Sequence, residues 1–213
     1  MIYNLDIAKQ VAKSLLQINA IILQPNNPFK WAAGWNSPIY CDNRKTLSYP
    51  KIRNYIRQGL VAVIKNHYKG ANVIAGVATA GIPHGVLVAE ELGLPFIYVR
   101  AKAKEHGKQN QIEGYFEKEQ SVILVEDLIS SGKSSLEAAS ALKEVGMKVK
   151  GMVSIFTYGF DTAAENFKNA NCEYISLCDY NTLLPEAIKQ KYIDKEDLAI
   201  LKQWRENPSN WKQ

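Results

Sequence analysis

Two acids and a run of small hydroxylated residues stand side by side in the stretch 122–135, VILVEDLISSGKSS. Val122, Ile123, Leu124 and Val125 read as a buried strand, and a parallel sheet binds its ligands outside the carboxyl ends of such strands. Ser130, Ser131, Gly132, Ser134 and Ser135 then offer hydroxyls and approachable backbone N–H groups at the start of a helix, where the helix dipole also favours an anion. That combination is a phosphate cradle. Glu126 and Asp127 are hydrogen-bond acceptors at neutral pH, suited to the two hydroxyls of a ribose whose 5-phosphate lies in the adjacent cradle. An acidic strand end by itself is commonly only solvated; the whole string favours the ligand.

Gly132-Lys133-Ser134 copies the end of the G-x-x-x-x-G-K-[ST] loop of nucleotide triphosphatases. The first glycine of that pattern would fall at position 127, which is Asp127. A carboxylate there would repel the phosphates such a loop wraps, so triphosphate hydrolysis is set aside.

A second polar stretch, 100–120, carries Arg100, Lys102, Lys104 and Lys108 against Glu105, with few apolar residues. Charged runs are usually solvated loops. This one is too long for an ordinary connection in a compact domain, and it is read as a mobile lid.

The elements that must position these groups follow from periodicity. Apolar runs at 72–77, 94–99, 121–125, 149–156 and 172–178 alternate with helical patterns, which predicts an α/β fold with a central parallel sheet flanked by helices. Pro50 opens a helix carrying Ile52, Tyr55, Ile56, Leu60 and Val63 and ending near 68–70. Helices at 83–92 and 134–145 are closed by Gly93 and Gly146, where a left-handed cap is expected. Near the N-terminus, Asp6 is expected to cap a helix with Ile7, Val11, Leu15 and Ile18 on its packing side.

At 213 residues and 46% hydrophobic content the chain suits one domain, 1–213. Its net charge of +5 is spread along the chain, unlike the basic stripe of a nucleic-acid binder, and a small polyanionic substrate accounts for it. Cys41, Cys172 and Cys178 form no C-x-x-C pair, which argues against a disulfide framework and a zinc site. No signal-peptide layout and no bilayer-length apolar stretch is present, so the expected location is cytoplasmic, without membrane or nucleic-acid partners. His67 and His84 have no catalytic context and are read as surface or packed histidines. Trp204 and Trp211 are expected to dock the last helix and tail.

The string 122–135 resembles the 5-phosphoribosyl 1-pyrophosphate (PRPP) signature of the type I phosphoribosyltransferases. The resemblance implies that fold, with a small hood formed near 20–45 and by the C-terminal region. It places Glu126 and Asp127 on the ribose hydroxyls and wraps Leu128, Ile129, Ser130, Ser131, Gly132, Lys133 and Ser134 around the 5-phosphate. Two further stretches resemble the orotate branch. In 27–44, NPFKWAAGWNSPIYCDNR, the matching residues are Phe29, Gly34, Ser37, Pro38, Tyr40, Asp42 and Arg44 of the hood. In 100–114, RAKAKEHGKQNQIEG, the similarity is to a catalytic loop.

By that resemblance Arg100, Lys104 and His106 are catalytic and contact the pyrophosphate, whose developing charge such cations stabilise. Ala78, Thr79, Ala80 and Gly81 form the pyrophosphate loop, and Ser130 contacts orotate. The implied reaction joins PRPP and orotate into orotidine 5'-phosphate and pyrophosphate, in pyrimidine biosynthesis. The implied cofactor is Mg2+, held through substrate and water with no direct protein ligand, in a homodimer that shares the lid between subunits. Three positions depart from some bacterial relatives: Ala101 follows the loop arginine where those have a lysine, the pyrophosphate loop lacks a Tyr-Lys pair, and Thr157-Tyr158 stands where a base-binding arginine is found. The hood speaks against a purine base, and the cationic lid speaks against a regulatory protein without catalysis.

Overall fold

The computed structural model describes residues 1–31, 34–101 and 111–212. Helix α1 (Leu5–Gln17) begins the chain, and its first-turn donors are met by Asn4, whose Oδ1 accepts from the N–H groups of Asp6 at 2.9 Å and Ile7 at 3.0 Å. The cap is therefore Asn4 and not Asp6. Asp6 sits within the first turn, where its charge suits the helix dipole.

Next come four short strands, β1 (Ile21–Leu23), β2 (Phe29–Lys30), β3 (Asn36–Ser37) and β4 (Ile39–Cys41). They pair antiparallel as β1 with β4 and β2 with β3. Gly34 turns between β2 and β3 at φ +89°, a conformation that favours glycine. A 3-10 helix (Asn43–Ser48) leads into α2 (Pro50–His67), which opens on its proline as the sequence predicts.

The main layer is a six-stranded sheet built from β5 (Val73–Val77), β6 (Phe96–Val99), β7 (Ile112–Glu113), β8 (Ser121–Ile129), β9 (Lys148–Thr157) and β10 (Tyr174–Asp179), in the order β10-β9-β8-β5-β6-β7. Every pairing is parallel except that of β6 with β7. Helices α3 (Gly81–Leu92), α4 (Lys133–Glu144), α5 (Asp161–Asn169), α6 (Tyr180–Lys189) and α7 (Asp197–Glu206) complete the chain. Gly93 and Gly146 close their helices at φ +64° and +86°, as expected from sequence.

The topology decides where a ligand can sit. From β5 the chain crosses through α3 to β6 on one side, and from β8 it crosses through α4 to β9 on the other. Between β5 and β8 the winding reverses, so the loops after these two strands part and leave a crevice at their carboxyl ends.

Candidate active site

The crevice opens because β8 outruns its neighbour. Pairing of β5 with β8 ends at Gly76 opposite Val125, whereas β8 stays paired with β9 as far as Ile129 opposite Thr157. The strand expected to stop at Val125 therefore continues through the two acids. Glu126, Asp127 and Leu128 lie on an edge that β5 no longer covers. The resulting cleft of about 480 Å³ is lined by Ala78, Thr79 and Ala80 on one side and by Glu126, Asp127, Leu128 and the 130–135 loop on the other.

Two helices begin at this cleft. Helix α3 starts at Gly81, two residues earlier than the sequence suggests, and α4 starts at Lys133. Neither first turn is capped by a side chain, so N–H donors at both ends remain for a ligand. The close approach of α3 to β8 needs glycine: a Cβ on Gly81 would lie 2.3 Å from the Val125 carbonyl oxygen. Gly132 turns into α4 at φ +79°, and its missing Cβ leaves room for the Phe167 ring.

The two acids are not equivalent. Glu126 is 6% exposed, and both of its carboxylate oxygens are occupied. Oε1 accepts the Asp127 N–H at 3.0 Å, and Oε2 accepts the Ser135 hydroxyl at 3.0 Å. Burial, and then the charge of Asp127, push the Glu126 carboxyl well above its usual range. Burial also raises Asp127, against hydrogen bonds that favour its charged form. Two adjacent buried carboxyls resist ionising together. Asp127 is the more open of the pair. Ser135, read from sequence as part of the hydroxyl loop, is buried and serves to fix Glu126.

Ser130, Ser131, Gly132, Lys133 and Ser134 all line the cleft. Ile129 does not, because its side chain is fully buried in the core. Its carbonyl accepts the Thr157 hydroxyl at 3.1 Å and the Tyr158 N–H at 3.2 Å. Leu128 and Ser130 also face a second cavity, of about 310 Å³, whose other walls are Lys30, Trp31, Tyr40, Cys41 and Tyr158. The hood thus meets the cradle at Ser130. Trp31 anchors the hood, its ring centroid 5.4 Å from that of Tyr158 and 5.6 Å from that of the fully buried Trp204. Trp204 and Trp211 are both buried and dock the C-terminal segment, as expected.

Sequence reasoning passed over Asn43. It is fully buried and donates from Nδ2 to the Asp127 carbonyl at 2.7 Å, a contact between residues 84 positions apart. Only its place directly after the hood acid Asp42 could have drawn notice.

The phosphoribosyl transferase domain family matches residues 50–181, which include both cleft loops. An orotate phosphoribosyltransferase of Cytophaga hutchinsonii is 54% identical over 98% of this chain and 100% of its own length. The chain belongs to the orotate phosphoribosyltransferases.

Solved structures of orotate phosphoribosyltransferases share the fold. That from Aeropyrum pernix superposes with a TM-score of 0.75 at 26% identity, covering 86% of this chain and 99% of its own. The UMP synthase of Leishmania donovani aligns at a TM-score of 0.77 and 27% identity over 93% of this chain, which spans 42% of that longer protein.

Of the cations nominated in the 100–120 segment, Arg100 alone is among the described residues. Arg100 stands at the sheet edge with its Nη1 3.7 Å from Glu113 Oε1. Its N–H donates to the Gln111 carbonyl at 2.8 Å, and Gln111 Nε2 donates back to the Arg100 carbonyl at 2.9 Å. The lid expected over 100–120 is therefore too long: residues 112–113 form β7 and pair with β6 in the main sheet. Lys102, Lys104, His106 and Lys108 lie outside the described residues. His84 is packed and His67 is exposed, its ring edge-on to Tyr3 at 5.6 Å.

Proposed function

We propose that the chain transfers the 5-phosphoribosyl group of PRPP to N1 of orotate, giving orotidine 5'-phosphate and pyrophosphate for pyrimidine biosynthesis. The observation that carries this reading is the continuity of the exposed β8 edge, the 130–135 loop and the start of α4, with the hood cavity joined to them at Ser130. Asp127 and Glu126 take the ribose hydroxyls, and Ser130, Ser131, Gly132, Lys133 and Ser134 hold the 5-phosphate. Leu128 and Ile129 shape the cradle through the strand that carries them. The uncapped start of α3, with Ala78, Thr79, Ala80 and Gly81, takes the pyrophosphate.

The chemistry needs no protein nucleophile. N1 of the base attacks C1 of the ribose as pyrophosphate departs, so positioning and charge stabilisation carry the rate. By family resemblance, Arg100, Lys104 and His106 are assigned to the pyrophosphate from a lid between β6 and β7 that excludes water.

Among the described residues no group of three His, Cys, Asp or Glu side chains gathers to cage a metal. The cleft offers carboxylate and hydroxyl oxygens, a donor set that fits a hydrated Mg2+ arriving on the substrate. When bound, that ion would neutralise charge on the phosphate oxygens as pyrophosphate departs. A homodimer sharing its lids and a cytoplasmic location complete the reading. No described helix is long and apolar enough to cross a membrane.

The test is consumption of orotate in the presence of PRPP and Mg2+, with uracil, hypoxanthine and adenine as comparison bases. Orotate should be preferred; preference for a purine would overturn the assignment.

A further inference from the structure

The hood cavity beside the cradle has walls suited to a flat ring. Trp31, Tyr40, Tyr158 and Leu128 are aromatic or apolar, and Ser130 supplies a hydroxyl at the mouth shared with the phosphate cleft. Orotate brings more than a flat ring. It carries a carboxylate on the carbon next to N1, and an anion leaving water for an aromatic cavity needs a cation or several donors.

Among the described residues lining that cavity, Lys30 is the one cation. The end of β9 supplies none, since Thr157 and Tyr158 occupy it. Arg205 is committed elsewhere: its Nε donates to the Tyr158 carbonyl at 3.2 Å and its Nη2 donates to the Gly159 carbonyl. Lys30 makes no ion pair with any described residue, and its neighbour across the hairpin is Asn36, which is neutral. Its backbone is fixed by the β2 and β3 pairing, so the charge is presented from a defined point on a flexible four-carbon stem.

We propose that Lys30 is the residue that selects the nucleobase, its ammonium pairing with the carboxylate of orotate in the hood cavity. The assignment rests on the reading of orotate as substrate. It also accounts for specificity without a base-binding arginine after β9: removing the carboxylate, as in uracil, leaves the ring its aromatic contacts but not its ion pair.

Initial velocities should be measured with orotate and PRPP varied in turn, for the unaltered enzyme, Lys30→Met and Lys30→Arg. Lys30→Met should raise the KM for orotate roughly tenfold or more, the ordinary loss for a charge-assisted hydrogen bond, and leave the KM for PRPP within about twofold. Lys30→Arg, which keeps the charge, should recover most of the orotate KM. An orotate KM within about twofold of normal in Lys30→Met would overturn the assignment, and so would a parallel rise in both KM values, which marks a structural role. If the unaltered enzyme turned over another base and not orotate, the substrate reading would fall, and the Lys30 assignment with it.

Discussion

Asn43 Nδ2 donates to the backbone carbonyl of Asp127 at 2.7 Å, and so joins the end of the hood to the strand edge that carries Glu126 and Asp127. Beyond the end of β5 that edge has no neighbouring strand, and the buried asparagine supplies the donor a strand would have given. Asn43→Ala leaves a buried carbonyl unmet, which costs about 1–3 kcal/mol. The expected outcome is a lower melting temperature together with a PRPP KM raised roughly tenfold, in proportion to that cost. A melting temperature that falls with no change in the PRPP KM would show that the bond stabilises the fold without positioning Asp127.

Glu126→Gln should separate stability from binding. Burial raises the Glu126 carboxyl in the folded chain. A raised folded-state value means that this group's contribution is fully present below the ordinary carboxylate range and is lost as pH rises through the folded value. The glutamine variant carries no such penalty, so at pH 8 it should melt higher, by about 2–4 °C for each kcal/mol recovered in a chain of this size. The gain should shrink as pH falls. PRPP affinity, read by calorimetry, should drop roughly tenfold or more with the loss of an acceptor. A variant that melts lower at pH 8 would contradict the electrostatic account.

His84 works in the opposite sense. It is 2% exposed, its Nε2 has no hydrogen-bond partner among the described residues, and burial lowers its pKa from 6.5 to about 4. A depressed value favours the neutral ring, so its contribution is present above pH 6.5 and is lost as pH falls through about 4. His84→Leu should flatten the fall of unfolding free energy across that window, a difference on the order of a few kcal/mol. Denaturant titrations at a series of pH values would measure it, and parallel curves would refute it.

Gly81 tests how tightly α3 must approach β8. In Gly81→Ala the new methyl carbon would meet the Val125 carbonyl oxygen at 2.3 Å, a backbone atom that cannot swing aside. Activity and folded yield should both fall sharply. Gly70→Ala is the control, because Gly70 has φ +79° but nothing within 4 Å of an added Cβ. It should cost only the left-handed strain of about 1–2 kcal/mol and leave the kinetics unchanged.

The proposal that the subunits of a homodimer share their lids can be tested by mixing two variants expected to be inactive, Lys104→Ala in the lid and Asp127→Asn in the cleft. Each homodimer should be inactive for a different reason. A mixed dimer holds one site with both lesions and one with neither, so activity should return on mixing. No recovery, after mass spectrometry has shown that subunits exchange, would place each lid over its own subunit's cleft.

The far wall of the cleft was legible in the sequence because its parts are consecutive: a buried strand, two acids, a hydroxylated loop and a helix start follow one another within 122–135. The same locality made the ends of α2, α3 and α4 readable from Pro50, Gly93 and Gly146, since proline and glycine restrict or permit backbone angles on their own. The hood motif was recognisable as a string for the same reason.

What local pattern could not supply were the partners of each segment. Asn4 displaced Asp6 as the α1 cap by one hydrogen-bond geometry among several that the sequence allows. Strand β8 passed through its acids because β9, not the composition of β8, provided a ladder out to Thr157. Ser135 turned inward to Glu126, Arg205 was committed to the carbonyls after β9, and Asn43 reached Asp127 across 84 residues. Above all, the reversal of winding between β5 and β8 brought two uncapped helix starts to one crevice. Strand order is set by which buried faces pack best over the whole chain, and no window of neighbouring residues contains that information.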